Sequence, residues 1–339
     1  MKKVSYRSFI PFGVTVLAFT LILTIGCGDD IQETTFEEEI DYTGLHSNLT
    51  SEPIVAISKD TSLNKKLVEL GDLLFHDEML SSTQSVSCAT CHNLKEGGDD
   101  GKKFSVGVDQ NMGRINAPTV LNASFNFKQF WDGRAENLAE QIEGPIQHEM
   151  EMGNNWDTIV RRLERNEDYF ERFKQLFDNG VSRQNIKTAI AEFEKSLITP
   201  SKFDRYLLGD ESAITAEERE GYELFKTYGC VSCHQGQNIG GNMYQKFGIA
   251  SDYFADRGDV TDEDYGRFNI TKNEIDKYFF KVPSLRNVAL TSPYFHDGNT
   301  ETLEEAIRIM AKYQIGREIP DEDVMKIKAF LMSLTGEEL

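Results

Sequence analysis

The sequence predicts an all-α fold built from two small, related domains, and three observations carry that prediction. Apolar residues recur at three-to-four spacing: Leu63, Leu67, Leu70, Leu73 and Leu74, then Ile159, Leu163 and Phe170 to Phe177, then Ile186, Ile190, Phe193 and Leu197. Long alternating runs that would mark strands are absent. The chain also repeats itself weakly. Leu70-Gly71 and Leu74-Phe75 precede one cysteine pair, and Gly221, Leu224 and Phe225 precede another. Each copy reads as an amphipathic helix running into a cysteine motif.

The 339 residues give room for two cores. From the N-terminus, Lys2, Lys3 and Arg7 precede an uncharged apolar run from Phe9 to Ile25, interrupted by Pro11 and Gly13. A basic start before a short apolar segment reads as an export signal over residues 1–26. Leu-Thr-Ile-Gly-Cys closes the run, and a small residue followed by Cys27 is the pattern of a lipoprotein processing site, with Thr24 a loose match. A plain secretory signal with a stray cysteine is the competing reading; acyl chains on Cys27 would instead anchor the protein to a membrane. Residues 27–52, rich in Asp, Glu, Thr and Ser, read as an acidic tether. Order is expected from Pro53, with one domain over 53–200 and another over 201–339, divided where a helical stretch meets Pro200. Loss of residues 1–26 removes three positive charges and leaves 33 Lys+Arg against 56 Asp+Glu, or −23. Such acidity argues against nucleic acid and favours a basic partner brought in by steering, although solubility alone also explains it.

Cys88-Ala89-Thr90-Cys91-His92 and Cys230-Val231-Ser232-Cys233-His234 carry the chemistry. The spacing lets two thiols form thioethers with the vinyl groups of one haem while the adjacent His ligates its iron. Zinc would need two further ligands at each motif, and a thioredoxin-like pair would not require His after the second Cys twice. Two covalently bound haem c groups are therefore expected, one in each of two cytochrome-c-like domains. These motifs use four of the five cysteines, leaving Cys27 for another task. For the second haem, Met310 shares a helical face with Leu303, Ala306 and Ile307, as a sixth ligand or as core filler. No partner stands out for the first haem. A polar-aromatic stretch follows it instead, from Asn116 through Phe130-Trp131-Asp132-Gly133-Arg134 to Gln141, Gly144-Pro145 and Glu149-Met150-Glu151. Carboxylates beside an open haem can move the protons that O–O cleavage requires.

The order C-x-x-C-H, N-A-P-T-V-L-N, F-W-D-G-R, C-x-x-C-H and V-P-S-L-R-N-V-A-L-T-S-P-Y-F-H-D-G resembles bacterial di-haem cytochrome c peroxidases from about Leu67 to the C-terminus. The related di-haem enzyme of methylamine dehydrogenase maturation shares much of it. The resemblance implies reduction of hydrogen peroxide to water with electrons from a small cytochrome c or a copper protein. It makes the haem on Cys88, Cys91 and His92 the peroxidatic one and that on Cys230, Cys233 and His234 the electron-transfer one, with Met310 its sixth ligand. It implies catalytic Glu151, with Gln141 and Pro145 lining the same pocket, and Trp131 as a relay between the haems. It further implies calcium held by Asn116 and the carbonyls of Thr291 and Pro293, a propionate contact for His296, and a homodimer. His46 and His76 read as surface or linker residues.

One departure stands out. Family members commonly hold a His that caps the peroxidatic iron until the second haem is reduced, and the matching position here is Val108, with no His from Ser105 to Asn116. The first iron is thus expected to be open without reductive activation; Met112 and His148 are the nearest substitutes, and neither aligns with the usual ligand. Two other functions fit the same motifs. One is oxidation of a protein or organic substrate through a high-valent di-haem state, against which Met310 argues. The other is a tethered electron carrier with two saturated irons.

Overall fold

A computed structural model describes residues 52–59 and 61–337. The export segment, Cys27, His46 and all of the tether but Glu52 lie outside the described residues. The chain is mostly helical with little sheet. In its first half are α1 (Lys65–His76), α2 (Cys88–Cys91), α3 (Leu138–Gln141), α4 (Glu143–Gln147), α5 (Trp156–Arg165), α6 (Glu167–Leu176) and α7 (Arg183–Ser196). The second half has α8 (Lys202–Leu207), α9 (Ala216–Thr227), α10 (Tyr253–Arg257), α11 (Phe268–Thr271), α12 (Leu303–Met310) and α13 (Asp321–Met332). Strands β1 (Tyr244–Lys246) and β2 (Phe279–Lys281) pair antiparallel, with Tyr244 opposite Lys281. Among the described residues no helix is long and apolar enough to cross a membrane.

The long helices start where local chemistry says they should. Asn64 and Ser182 accept backbone N–H bonds at the starts of α1 and α7, and Thr215 with Glu218 closes a capping box on α9. The weak repeat has a packing counterpart. α1 lies against α7, and α9 lies against α13. A Cβ on Gly71 would overlap the Ala189 carbonyl and the Phe193 side chain; on Gly221 it would overlap the Lys326 carbonyl and touch Phe330. Glycine inside a helix costs about 1 kcal/mol, and the close approach of two helix backbones offsets it. Four residues after each glycine, Phe75 and Phe225 are buried.

Three apolar clusters result within one compact unit, two large ones and a small aromatic one of Phe247, Tyr253, Phe254, Phe280 and Tyr313. The first large cluster gathers residues from Leu70 to Phe193, the second Ile54 with residues from Phe203 to Leu334. Residues 52–57 thus lie with the second cluster: Tyr222 donates to Glu52 (2.5 Å), and the Ile57 N–H donates to Asp204 (2.9 Å). Asp204 also takes a two-pronged bond from the fully buried Arg286, at 2.9 Å on each oxygen. Removing one partner of such a pair strands a buried charge and typically costs 3–5 kcal/mol. Arg286→Ala is accordingly expected to lose about 3–5 kcal/mol of stability, read as a lower urea midpoint at unchanged haem content.

Candidate functional site

The second cysteine motif opens onto a cavity of about 380 Å³ whose walls include Cys230, Cys233, His234 and Met310. His234 donates its Nδ1–H to the Ile239 carbonyl at 3.3 Å. Burial pushes its pKa down to about 4, so the ring is neutral at pH 7. With Nδ1 carrying the proton toward that carbonyl, Nε2 offers its lone pair to a metal. Gly240 makes the turn behind it, at φ +128°, where a Cβ would overlap the Pro283 carbonyl. Met310 ends α12, far from this loop in sequence, yet lines the same cavity, just before a π-helical turn over Ala311–Ile315. Such turns recur at functional sites. The cysteine thiols of both motifs are unbridged. A neutral buried imidazole, two free thiols and a thioether around one cavity fit a covalently attached haem.

The first motif repeats the arrangement. α2 spans the two cysteines, and His92 Nδ1 lies 3.1 Å from the Gly98 carbonyl. Burial lowers the His92 pKa as well. Gly98, at φ +79°, leaves no room for a Cβ beside Thr119 and Leu121. The charge of Glu151 is felt at the Cys91 thiol. Burial raises the Glu151 pKa, opposed by the charges of His148 and Arg134. His148 Nδ1 is 3.7 Å from Glu151, but the imidazole stays more than half exposed, and Met112 is exposed as well. Val108 is buried in the first apolar cluster, and its N–H donates to the Glu151 carbonyl at 2.8 Å. A Cβ on Gly107 would overlap the carbonyls of Met150 and Glu151. The 105–113 loop is therefore clamped onto the turn that carries Glu151.

One segment joins the two centres. Asn116, Ala117, Pro118 and Thr119 line the second cavity, while the Pro118 carbonyl reaches His92 and the Thr119 hydroxyl donates to Gly97 at 2.6 Å. Trp131 also lines the cavity, donates Nε1–H to the Asn116 carbonyl at 2.9 Å, and accepts the Lys281 N–H on its own carbonyl at 2.8 Å. Asn116 donates its side-chain amide to the Lys102 carbonyl at 3.0 Å, leaving Oδ1 for a cation, and Thr291 and Pro293 share its cavity wall. His296 lines the cavity too, with its Nε2 2.7 Å from Asp264 Oδ1. Arg257 bridges Asp264 and Asp297, and the His296 ring stacks on Phe280 at 4.4 Å. His76 is a surface residue, paired with Asp72.

Two buried acids were not singled out by sequence. Glu194 accepts the Gln141 amide at 3.0 Å and is sensed at Cys88; its other oxygen is buried without a partner. It sits one turn after Ile190 and one before Leu197 on the apolar face of α7, so an acid interrupting that face was the available signal. Burial raises its pKa to about 8. Asp99 has both oxygens buried without hydrogen bonds and, with Asp100 beside it, is pushed up to about 7. The Glu194 shift fixes a sign. Between the ~4.3 of an exposed Glu and about 8, the fold keeps a proton that the unfolded chain has released, so stability falls as pH rises across that window. Glu194→Gln keeps an acceptor for Gln141 and removes the penalty. Its melting temperature relative to the unmodified chain is expected to be higher at pH 8 than at pH 5.

Comparison with known proteins gives concordant matches. A family model described as di-haem cytochrome c peroxidase matches residues 65–212. The cytochrome c551 peroxidase of Nitrosomonas europaea is 46% identical over 290 residues, covering 85% of each chain. Cytochrome c peroxidase Ccp of Escherichia coli K12 is 48% identical over 288 residues, which is 84% of this chain and 62% of that protein. The chain thus spans less than two thirds of that relative. Among solved structures, a MauG-like protein associated with microbial copper homeostasis superposes with a TM-score of 0.71 at 26% identity, covering 86% of this chain and 95% of that one.

Proposed function

This chain belongs to the di-haem cytochrome c peroxidase family, and from that premise we propose that it reduces hydrogen peroxide to two waters with two protons and two electrons, the electrons from a small redox protein. The observation that carries the reading is the unlike surroundings of the two motifs: a thioether lines the His234 cavity, whereas Cys91 of the first motif feels the charge of Glu151, a carboxyl with raised pKa. When bound, two haem c groups supply the redox centres, one exchanging single electrons with the donor and one meeting peroxide. Every other role belongs to side chains. Cys230, Cys233, His234 and Met310 would hold the electron-transfer haem, and Cys88, Cys91 and His92 the peroxidatic one. Glu151 takes a proton from the near oxygen of peroxide and returns it to the departing oxygen, its raised pKa bringing acid and base forms closer to balance at neutral pH. Gln141, oriented by Glu194, lines that pocket. Trp131, hydrogen-bonded to the segment shared by the two centres, is the electron relay.

The same proposal divides the chain into a peroxidatic domain over 53–200 and an electron-transfer domain over 201–339, preceded by an export signal and a tether. It puts the protein in the periplasm or cell envelope, with Cys27 as a lipid anchor, and makes it a homodimer. The excess of acidic residues favours a basic cytochrome c or copper protein as donor. A calcium ion held by Asn116 Oδ1 and the Thr291 and Pro293 carbonyls has the oxygen-only ligation that calcium takes. The test is steady-state oxidation of reduced small cytochrome c by the two-haem protein, with and without hydrogen peroxide. Turnover that requires peroxide supports the reading; two attached haems and no turnover with several donors would favour the substrate-oxidising relative.

A further inference from the structure

The cavity behind Cys230 and Cys233 holds one cation. Lys281, at the end of β2, is 6% exposed and lines that cavity, whose walls contain no Asp, Glu or Arg. No carboxylate among the described residues pairs with its amine, and burial alone draws its pKa down from 10.5 to about 8. The titratable neighbours in the wall are His234, His296, Tyr228 and Tyr294, besides the two cysteines. His296 is already bonded to Asp264, so none of them offers Lys281 a negative charge near neutral pH. The backbone is tied in place: the Lys281 N–H donates to the Trp131 carbonyl, and Tyr244 pairs across the ladder. A buried ammonium without a counter-ion is costly, and a chain that needed only an apolar wall would carry an apolar residue there. A haem attached to Cys230 and Cys233 brings two carboxylates of its own.

We infer that Lys281 is an anchor for a propionate of the electron-transfer haem, and that this pairing raises the haem's reduction potential. The inference rests on the proposed haem occupancy of this cavity. An ammonium at the propionate offsets negative charge that would otherwise favour the ferric iron. It also ties the haem edge to the strand bonded to Trp131, so one residue connects potential with the relay. Lys281 acts through the propionate and is a positioning residue.

The experiment is a spectroelectrochemical titration of K281M and K281R, with haem content from the pyridine haemochrome. K281M is expected to keep two haems and to show about a tenfold lower ferrous-to-ferric ratio for the electron-transfer haem at fixed applied potential, a ~59 mV shift for one electron. K281R is expected to titrate close to the unmodified protein. A two-haem K281M with an unchanged midpoint overturns the inference. A crystal structure of the unmodified, haem-loaded protein needs no variant: the Lys281 amine within about 4 Å of a propionate oxygen supports the pairing, and an amine turned elsewhere overturns it. Absence of a second haem would remove both the inference and the functional reading. A potential shift in a protein without peroxide turnover would keep the inference and sink the peroxidase assignment.

Discussion

Glu151→Gln is expected to lower kcat/KM for hydrogen peroxide by about 100- to 10,000-fold, or ~3–5 kcal/mol of transition-state stabilisation, while both haems stay attached. Glutamine has nearly the same shape and still accepts a hydrogen bond, so a loss of that size isolates the proton carried by the carboxylate. The position of the group supports the magnitude. Its charge reaches Cys91, burial raises its pKa, and His148 and Arg134 restrain the rise. A base works ionised, so kcat/KM is expected to climb with pH through this raised value, above the ~4.3 of an exposed Glu. Removing the opposing charge with Arg134→Gln should move that acid limb to still higher pH. An unchanged limb in Arg134→Gln would show that another group controls it.

Met310→Ala is expected to have the second large effect. A thioether ligand favours the ferrous state and raises the potential, so its loss makes electron uptake from a small cytochrome c less favourable. At least a tenfold fall in donor-dependent turnover is expected, ~1.4 kcal/mol, together with loss of the low-spin signature of that haem. Stopped-flow reduction by the donor separates this from damage to the other centre, because Met310 lines only the His234 cavity described above. If Met310 is merely core filler beside Leu303 and Ile307, the variant would lower stability and leave the potential in place.

Much of this was legible in the sequence, for physical reasons that differ from residue to residue. The three-to-four periodicity of α1, α7 and α9 follows from burying one face, so the helices could be read directly. The glycines of the repeat were visible as letters; their purpose, a helix pair whose backbones nearly touch, required α7 and α13 to be placed. Met310 was named from its spacing and from resemblance, and it shares a cavity with His234, with 75 residues between the two in the sequence. Other features depend on contacts that no local pattern encodes. Residues 52–57 pack with the second cluster because Asp204 and Arg286 bind their backbone. Asp264, itself held by Arg257, is bonded to His296 Nε2, a pairing across 32 residues that no local pattern shows. β2 is three residues long, too short to show alternation, so the placement of Lys281 was hidden. The substitution at Val108 was plain in the sequence; that its burial clamps the loop onto the Glu151 turn was not.

That clamp bears on the central claim, an open peroxidatic iron in a peroxidase. Val108 lies in the apolar cluster, Met112 and His148 are exposed, and Gly107 is pressed against the Glu151 turn, an arrangement that favours the open site proposed at His92. The most direct test mixes as-isolated, fully oxidised enzyme with reduced cytochrome c and hydrogen peroxide, with no pre-reduction, and follows the first seconds. Prompt oxidation at the steady-state rate is the expected result. A lag that pre-reduction abolishes would contradict it, because some residue would then be capping the iron until the second haem is reduced.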